Sequence, residues 1–87
     1  MSLKLIKFSA IWCPPCRALQ PVWEQLVDEI HDVEFEAVDV DNEPKLAKQY
    51  KVSAVPTIVF VKNGKVADSM VGIRSAADIK AKIEELK

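Results

Sequence analysis

Two residues of this chain combine a reactive side chain with a usable spacing: Cys13 and Cys16, in the segment Ala10-Ile11-Trp12-Cys13-Pro14-Pro15-Cys16. A bridge between them would close too short a loop to staple a fold, so the spacing points to chemistry rather than to structure. That chemistry is thiol–disulfide exchange, in which one thiolate attacks a disulfide sulfur and a second thiol within reach resolves the mixed disulfide. Where such a pair opens a helix, unpaired N–H groups and the positive end of the macrodipole favour a thiolate and lower a cysteine pKa. Cys13 is then expected to be the exposed nucleophile, and Cys16, one turn on and tucked against the helix base, the resolving thiol. Trp12 would supply a flat apolar surface beside the nucleophile and Arg17 a cation in the first turn. The alternative is half of a zinc site, which needs three or four ligands. The chain offers only His31 besides the two cysteines, beyond the far end of the helix and without a partner at ligand or triad spacing, so no metal is expected.

The pair needs a strand before it and a helix after it, and the pattern supplies both. Leu3 to Phe8 is apolar on both parities apart from Lys4 and Lys7, which suits a central strand covered on both faces. Leu19, Val22, Trp23, Leu26 and Ile30 recur at helical spacing and predict a helix over Pro14 to Ile30, with a bend where Pro21 removes an N–H. Val33, Phe35 and Ala37 alternate with Glu34 and Glu36 into a second strand, and the close succession implies a right-handed parallel crossover. Asp41 or Asn42 is expected to cap a short helix with Pro44 in its first turn, ending near Tyr50. Thr57 to Val61, Asn63-Gly64 and Lys65 to Val71 read as a hairpin. Ser75 stands three before Asp78 as a cap, and Ile79, Ile83 and Leu86 mark the inner face of a last helix. The order βαβ, connecting helix, ββα predicts an α/β fold with a four-stranded mixed sheet and helices on both faces.

Composition narrows the function classes. Eighty-seven residues leave room for one small soluble domain over 1–87. Twelve Lys plus Arg against thirteen Asp plus Glu, interspersed, provide no basic footprint for nucleic acid. No run approaches the ~20 apolar residues that span a bilayer, and the opening Met1 to Phe8 has a cation within its apolar stretch and no cleavage site. A cytoplasmic chain is the expectation, and in the absence of a large apolar surface stripe, a monomer.

With a Cys-x-x-Cys near a βαβ pattern, the sequence resembles the thioredoxin family over nearly its whole length. Phe8-Ser9-Ala10-Ile11-Trp12-Cys13-Pro14-Pro15-Cys16-Arg17 is similar to the family's redox loop, and Pro21 falls at its helix-bending proline. Val38-Asp39-Val40-Asp41 looks like the strand end after the first crossover, Val52 to Thr57 like the cis-proline loop, Asn63-Gly64-Lys65 like the hairpin turn, and Val71-Gly72 like the glycine of the substrate groove. The resemblance implies a cis Pro56 facing the Cys13–Cys16 disulfide, with the Val55 backbone free to pair with an extended substrate. It also implies a shallow apolar groove formed by Trp12, Pro14, Pro15, Val55, Pro56 and Gly72.

Three departures stand out. Pro14 replaces the usual glycine, as in tryparedoxins and some bacterial thioredoxin-like proteins, so two successive prolines stiffen the loop and remove two N–H donors near Cys13. Lys7 stands where thioredoxins usually carry a buried aspartate that relays a proton to the resolving cysteine, and Ala37 where many place its lysine partner. If buried, Lys7 would accept the Cys16 proton when neutral or favour its thiolate when charged; the preferred expectation is that its ammonium reaches solvent at the sheet edge. The sequence also starts at the first strand of the redox unit, without the extra strand and helix that ordinary thioredoxins carry upstream, which suggests a minimal form.

The resemblance implies a thiol–disulfide oxidoreductase that reduces protein disulfides through Cys13 and Cys16, holds no cofactor, and is recharged by an external thioredoxin-reductase-like enzyme. A dedicated electron donor to one reductase or peroxidase, and a binding module with incidental redox activity, are the rival readings.

Overall fold

A computed structural model describes residues 2–87. In chain order the elements are β1 (Leu3–Ser9), α1 (Pro14–Glu29), β2 (Glu34–Asp39), α2 (Pro44–Gln49), β3 (Thr57–Lys62), β4 (Lys65–Val71) and α3 (Ala76–Leu86). The four strands form one mixed sheet in the order β2-β1-β3-β4. β1 runs parallel to β2, with Lys7 opposite Ala37, and antiparallel to β3, with Leu5 opposite Phe60. β3 and β4 form the expected hairpin, with a register shift at Phe60/Val61. Its turn places Asn63 at φ 51° and Gly64 at φ 82°, as the mirror-image turns that match strand twist require.

The lack of alternation in β1 has a direct cause, since apolar layers cover both faces of the sheet. Leu3 and Leu5 pack with Phe60 against Leu19, Trp23 and Leu26 of α1 and Ile79 and Ile83 of α3. Ile6 and Phe8 point the other way, joining Val38, Val59 and Val61 under Ala47 of α2. Strand parity therefore directs Lys7 to the same face as Leu3 and Leu5, beneath α1.

This overturns the expectation that the Lys7 ammonium escapes to solvent at a sheet edge. β1 is interior to the sheet, and Lys7 is only 3% exposed. The cap of α2 is also different from the one expected. Glu43 holds the N-cap position without a side-chain hydrogen bond, and Pro44 follows it. Asp39 has already turned the chain, its carbonyl accepting the Asn42 and Glu43 N–H groups at 3.1 and 3.0 Å and its carboxylate the Asp41 N–H at 2.9 Å. α1 continues through Pro21 to Glu29, and His31 lies exposed just beyond its end.

At α3 the expected cap is in place, with Ser75 Oγ accepting the Asp78 N–H at 3.1 Å. Ser75→Ala should cost about 1 kcal/mol, read as a lower urea midpoint at an unchanged slope. An unchanged midpoint would show that the cap carries no stability here.

Candidate active site

The Cys13–Cys16 segment sits where β1 ends and α1 begins. Cys13 is the N-cap of α1, with extended backbone at φ −97° and ψ 110°. Its Sγ accepts the Cys16 N–H at 3.3 Å, in the way an N-cap serine or aspartate oxygen takes an orphan helix donor. Pro14 and Pro15 fill the first two helical positions and have no N–H to offer, so the Cys16 N–H is the first backbone donor of the helix that can reach the sulfur. The two cysteines are unbridged in the structure.

Cys13 was expected to be exposed, and here the fold differs: Cys13 is 3% exposed and Cys16 5%. The reason is a tertiary contact. Cys13, Cys16 and Ala10 form a small cluster covered by Val40 and Val55, and the Cys13 thiol donates to the Val55 carbonyl at 3.8 Å. The Val55–Pro56 peptide is cis, as the resemblance implied. An open cleft of about 520 Å³ runs past Cys13 and is lined by Trp12, Pro14, Pro15 and Val55 of the expected groove. Pro56 and Gly72 do not line that cleft. Pro56 is fully buried, and its carbonyl accepts the Gly72 N–H at 2.9 Å, which fixes Gly72 at φ 90° beside the loop.

The contacts that Trp12 and Arg17 make, and several further lining residues, have no local signal in the sequence. Trp12, 62% exposed, donates from Nε1 to the Asp41 carboxylate at 2.8 Å, a contact across 29 positions. Arg17 braces the same loop, donating from Nη2 to the Ile11 carbonyl at 3.0 Å. The cleft floor includes Val40, Ala47 and Val52, whose sequence signal is indistinguishable from that of ordinary core residues. Ile11, Val71 and Ile73 are exposed apolar side chains that immediately precede Trp12 or flank Gly72; large apolar residues at or just beyond strand ends were the available signal.

On the opposite side of Cys16 a second open cleft, about 360 Å³, is lined by Lys7, Gln20, Asp39 and Cys16 among others. Burial and the neighbouring Cys13 sulfur push the Cys16 thiol up, while the Ala10 backbone and the Lys7 charge pull it back. Burial lowers the Lys7 ammonium from its ordinary range, opposed by attraction to Cys16 and Glu24. Among the described residues no three His, Cys, Asp or Glu side chains gather into a metal-binding group.

Fold and site define a class: an α/β domain with a dithiol at a helix N-terminus, packed against a cis-proline loop. The thioredoxin family model matches residues 1–85. Thioredoxin H5 of Oryza sativa is 44% identical over 82 residues, covering 94% of this chain and 60% of its own length. Thioredoxin H2 of Arabidopsis thaliana is 38% identical over 85 residues, covering 98% and 63%. Among solved structures, Fasciola hepatica thioredoxin superposes with a TM-score of 0.92 at 41% identity, over 99% of this chain and 82% of that one. The chain belongs to the thioredoxin family, and it spans less than two thirds of the length of the two plant relatives.

Proposed function

We propose that this chain is a thiol–disulfide oxidoreductase that reduces protein disulfides through Cys13 and Cys16. The observation that carries the reading is the Cys13 sulfur in the N-cap position of α1, with the second thiol one turn on and an apolar cleft in front. The Cys13 thiolate attacks one sulfur of the substrate disulfide, which expels the first substrate thiolate and leaves a mixed disulfide. Cys16 then attacks the Cys13 sulfur, forming the Cys13–Cys16 bond and releasing the second substrate thiolate. Two electrons pass to the substrate, and the dithiol itself is the redox group, so the chain requires no bound cofactor for this step. Regeneration of the dithiol falls to an external enzyme of the thioredoxin-reductase kind, which reduces the Cys13–Cys16 disulfide.

The groove favours protein substrates. Val55 presents its backbone at the cis-proline loop, and when Cys13 ionises the Val55 carbonyl loses its thiol donor and becomes free to pair with an extended chain. Trp12, Pro14, Pro15 and the exposed Ile11, Val71 and Ile73 supply apolar surface without charge selectivity, with Pro56 and Gly72 setting the shape of the loop behind it. Such a surface suits several partners better than one dedicated acceptor, and a protein working as a reductant fits the cytoplasm, where thiols are kept reduced.

Insulin reduction under dithiothreitol or with a thioredoxin reductase and NADPH tests the proposal. Turnover well above the uncatalysed background is expected, and no acceleration with either electron source would overturn it. Doubly substituted Cys13→Ser/Cys16→Ser protein should be inert in the same assay; cellular output that survives this double substitution would support the binding-module reading instead.

A further inference from the structure

Lys7 is a cation with no role in the exchange steps above, yet it is buried beside the cysteine that performs the second of them. Strand parity puts its side chain under α1, where Nζ donates to Gln20 Oε1 and lies 5.4 Å from the centre of the Trp23 ring. A carbonyl acceptor and an aromatic face both favour the ammonium over the amine. Lys7 and Cys16 line the same open cleft, which gives the Cys16 proton a route to water.

We propose that Lys7 is a positioning residue for the resolving step, its ammonium held under α1 by Gln20 and Trp23 so that a fixed positive charge stands behind Cys16 and favours the attacking thiolate. The inference rests on the dithiol reading above and assigns the charge to one of its two steps. Cys16 loses its proton to solvent through the cleft, and its thiolate attacks the Cys13 sulfur of the mixed disulfide. The Cys13–Cys16 bond forms, the bond from Cys13 to the substrate sulfur breaks, and the departing thiolate takes its proton from water. Lys7 remains protonated throughout.

The charged surroundings agree with this division of labour. From α1, Glu24 lies near enough to steady the ammonium, whereas Arg17 is engaged with the Ile11 carbonyl and Cys13 is the partner of the reaction. From β2, Asp39 lines the cleft with its carboxylate tied to the Asp41 N–H. From β3 the residue opposite Lys7 is the uncharged Ile58. Lys7 thus supplies a cation on the buried face behind Cys16, where its attraction to Cys16 opposes the effect of burial on both groups.

The reduced 87-residue chain, mixed rapidly with dithiobis-nitrobenzoate, reads the two thiols separately. The first aromatic thiolate is released by Cys13 at a rate that scales with reagent, and the second by Cys16 at a rate that does not. In Lys7→Met the second phase should slow about tenfold at neutral pH and its pH midpoint should rise by about one unit, the low end of the effect of one nearby opposite charge. A second-phase pH profile superimposed on wild type would overturn the proposal. Wild-type protein provides a measurement that needs no variant: the Lys7 Nζ titration followed by NMR should have a lower midpoint in the oxidised than in the reduced form, because the disulfide removes the thiolate that attracts it. Equal midpoints would refute the inference. Insulin turnover by wild type, run alongside, separates failure of this inference from failure of the dithiol reading.

Discussion

Cys16→Ser should turn the protein into a trap, and Cys13→Ser should silence it. Without Cys16 the first attack still occurs, and the mixed disulfide at Cys13 accumulates because the serine hydroxyl at position 16 cannot displace it. Mass spectrometry after exposure to a disulfide-containing protein should find the adduct on Cys16→Ser and none on Cys13→Ser. Turnover of insulin should fall by roughly 10⁴-fold or more in either variant, the scale on which loss of a covalent nucleophile or its resolving partner is felt. The asymmetry follows from the helix start: Cys13 occupies the N-cap, accepts the Cys16 N–H and faces the apolar cleft, whereas Cys16 lines the cleft on the other side with Lys7. An adduct on Cys13→Ser with none on Cys16→Ser would reverse the assignment of nucleophile and resolving thiol. Burial of Cys13 at 3% exposure adds a requirement, since an incoming disulfide must enter between Trp12 and the Val55 loop to reach the sulfur.

The largest effect on stability should come from Phe60→Ala. Phe60 is fully buried at the centre of the sheet, opposite Leu5 and beneath α1 and α3, where its ring holds the strand layer and both helices of that face together. Truncating a buried phenylalanine costs about 3–5 kcal/mol, through lost transfer energy and the cavity left behind. A chain of 87 residues has a total stability of roughly 4–13 kcal/mol at ordinary per-residue values. The variant should therefore unfold about 12–40 °C lower in a thermal scan, and partial unfolding at ambient temperature is within that range. Val66→Ala on exposed β4 is the control, expected to stay within about 0.5 kcal/mol of wild type. A loss below about 1 kcal/mol at Phe60 would mean that the two helices do not depend on its ring for their packing.

Much of this architecture could be read locally because it is encoded locally. Helical spacing from Leu19 to Ile30, the β-branched run after Thr57, the Asn63-Gly64 turn and the Ser75 cap each depend on neighbours within a few positions, and each element lies where that pattern put it. Cys13 and Cys16 were equally legible, since the chemistry of a dithiol at a helix start needs only the three-residue spacing and the strand before it. The start of α2 is not legible in this way, because Asp39 at the strand end takes the Asp41, Asn42 and Glu43 N–H groups in the turn and leaves Glu43 as an N-cap without a side-chain bond.

By itself, then, the sequence determined the order of strands and helices, the candidate reactive pair and its place at the start of α1. Tertiary structure alone decided how that pair is housed. Whether Lys7 meets solvent or Cys16 depends on which parity of β1 faces α1 and on β1 lying inside the sheet, and two apolar faces leave that parity ambiguous along the chain. Cys13 is buried because the Val55 loop, 42 positions away, folds over it, and Trp12 is held by Asp41 from the far side of the crossover. These contacts join segments with no local pattern linking them, so their free energy is realised only once the sheet has brought the segments together.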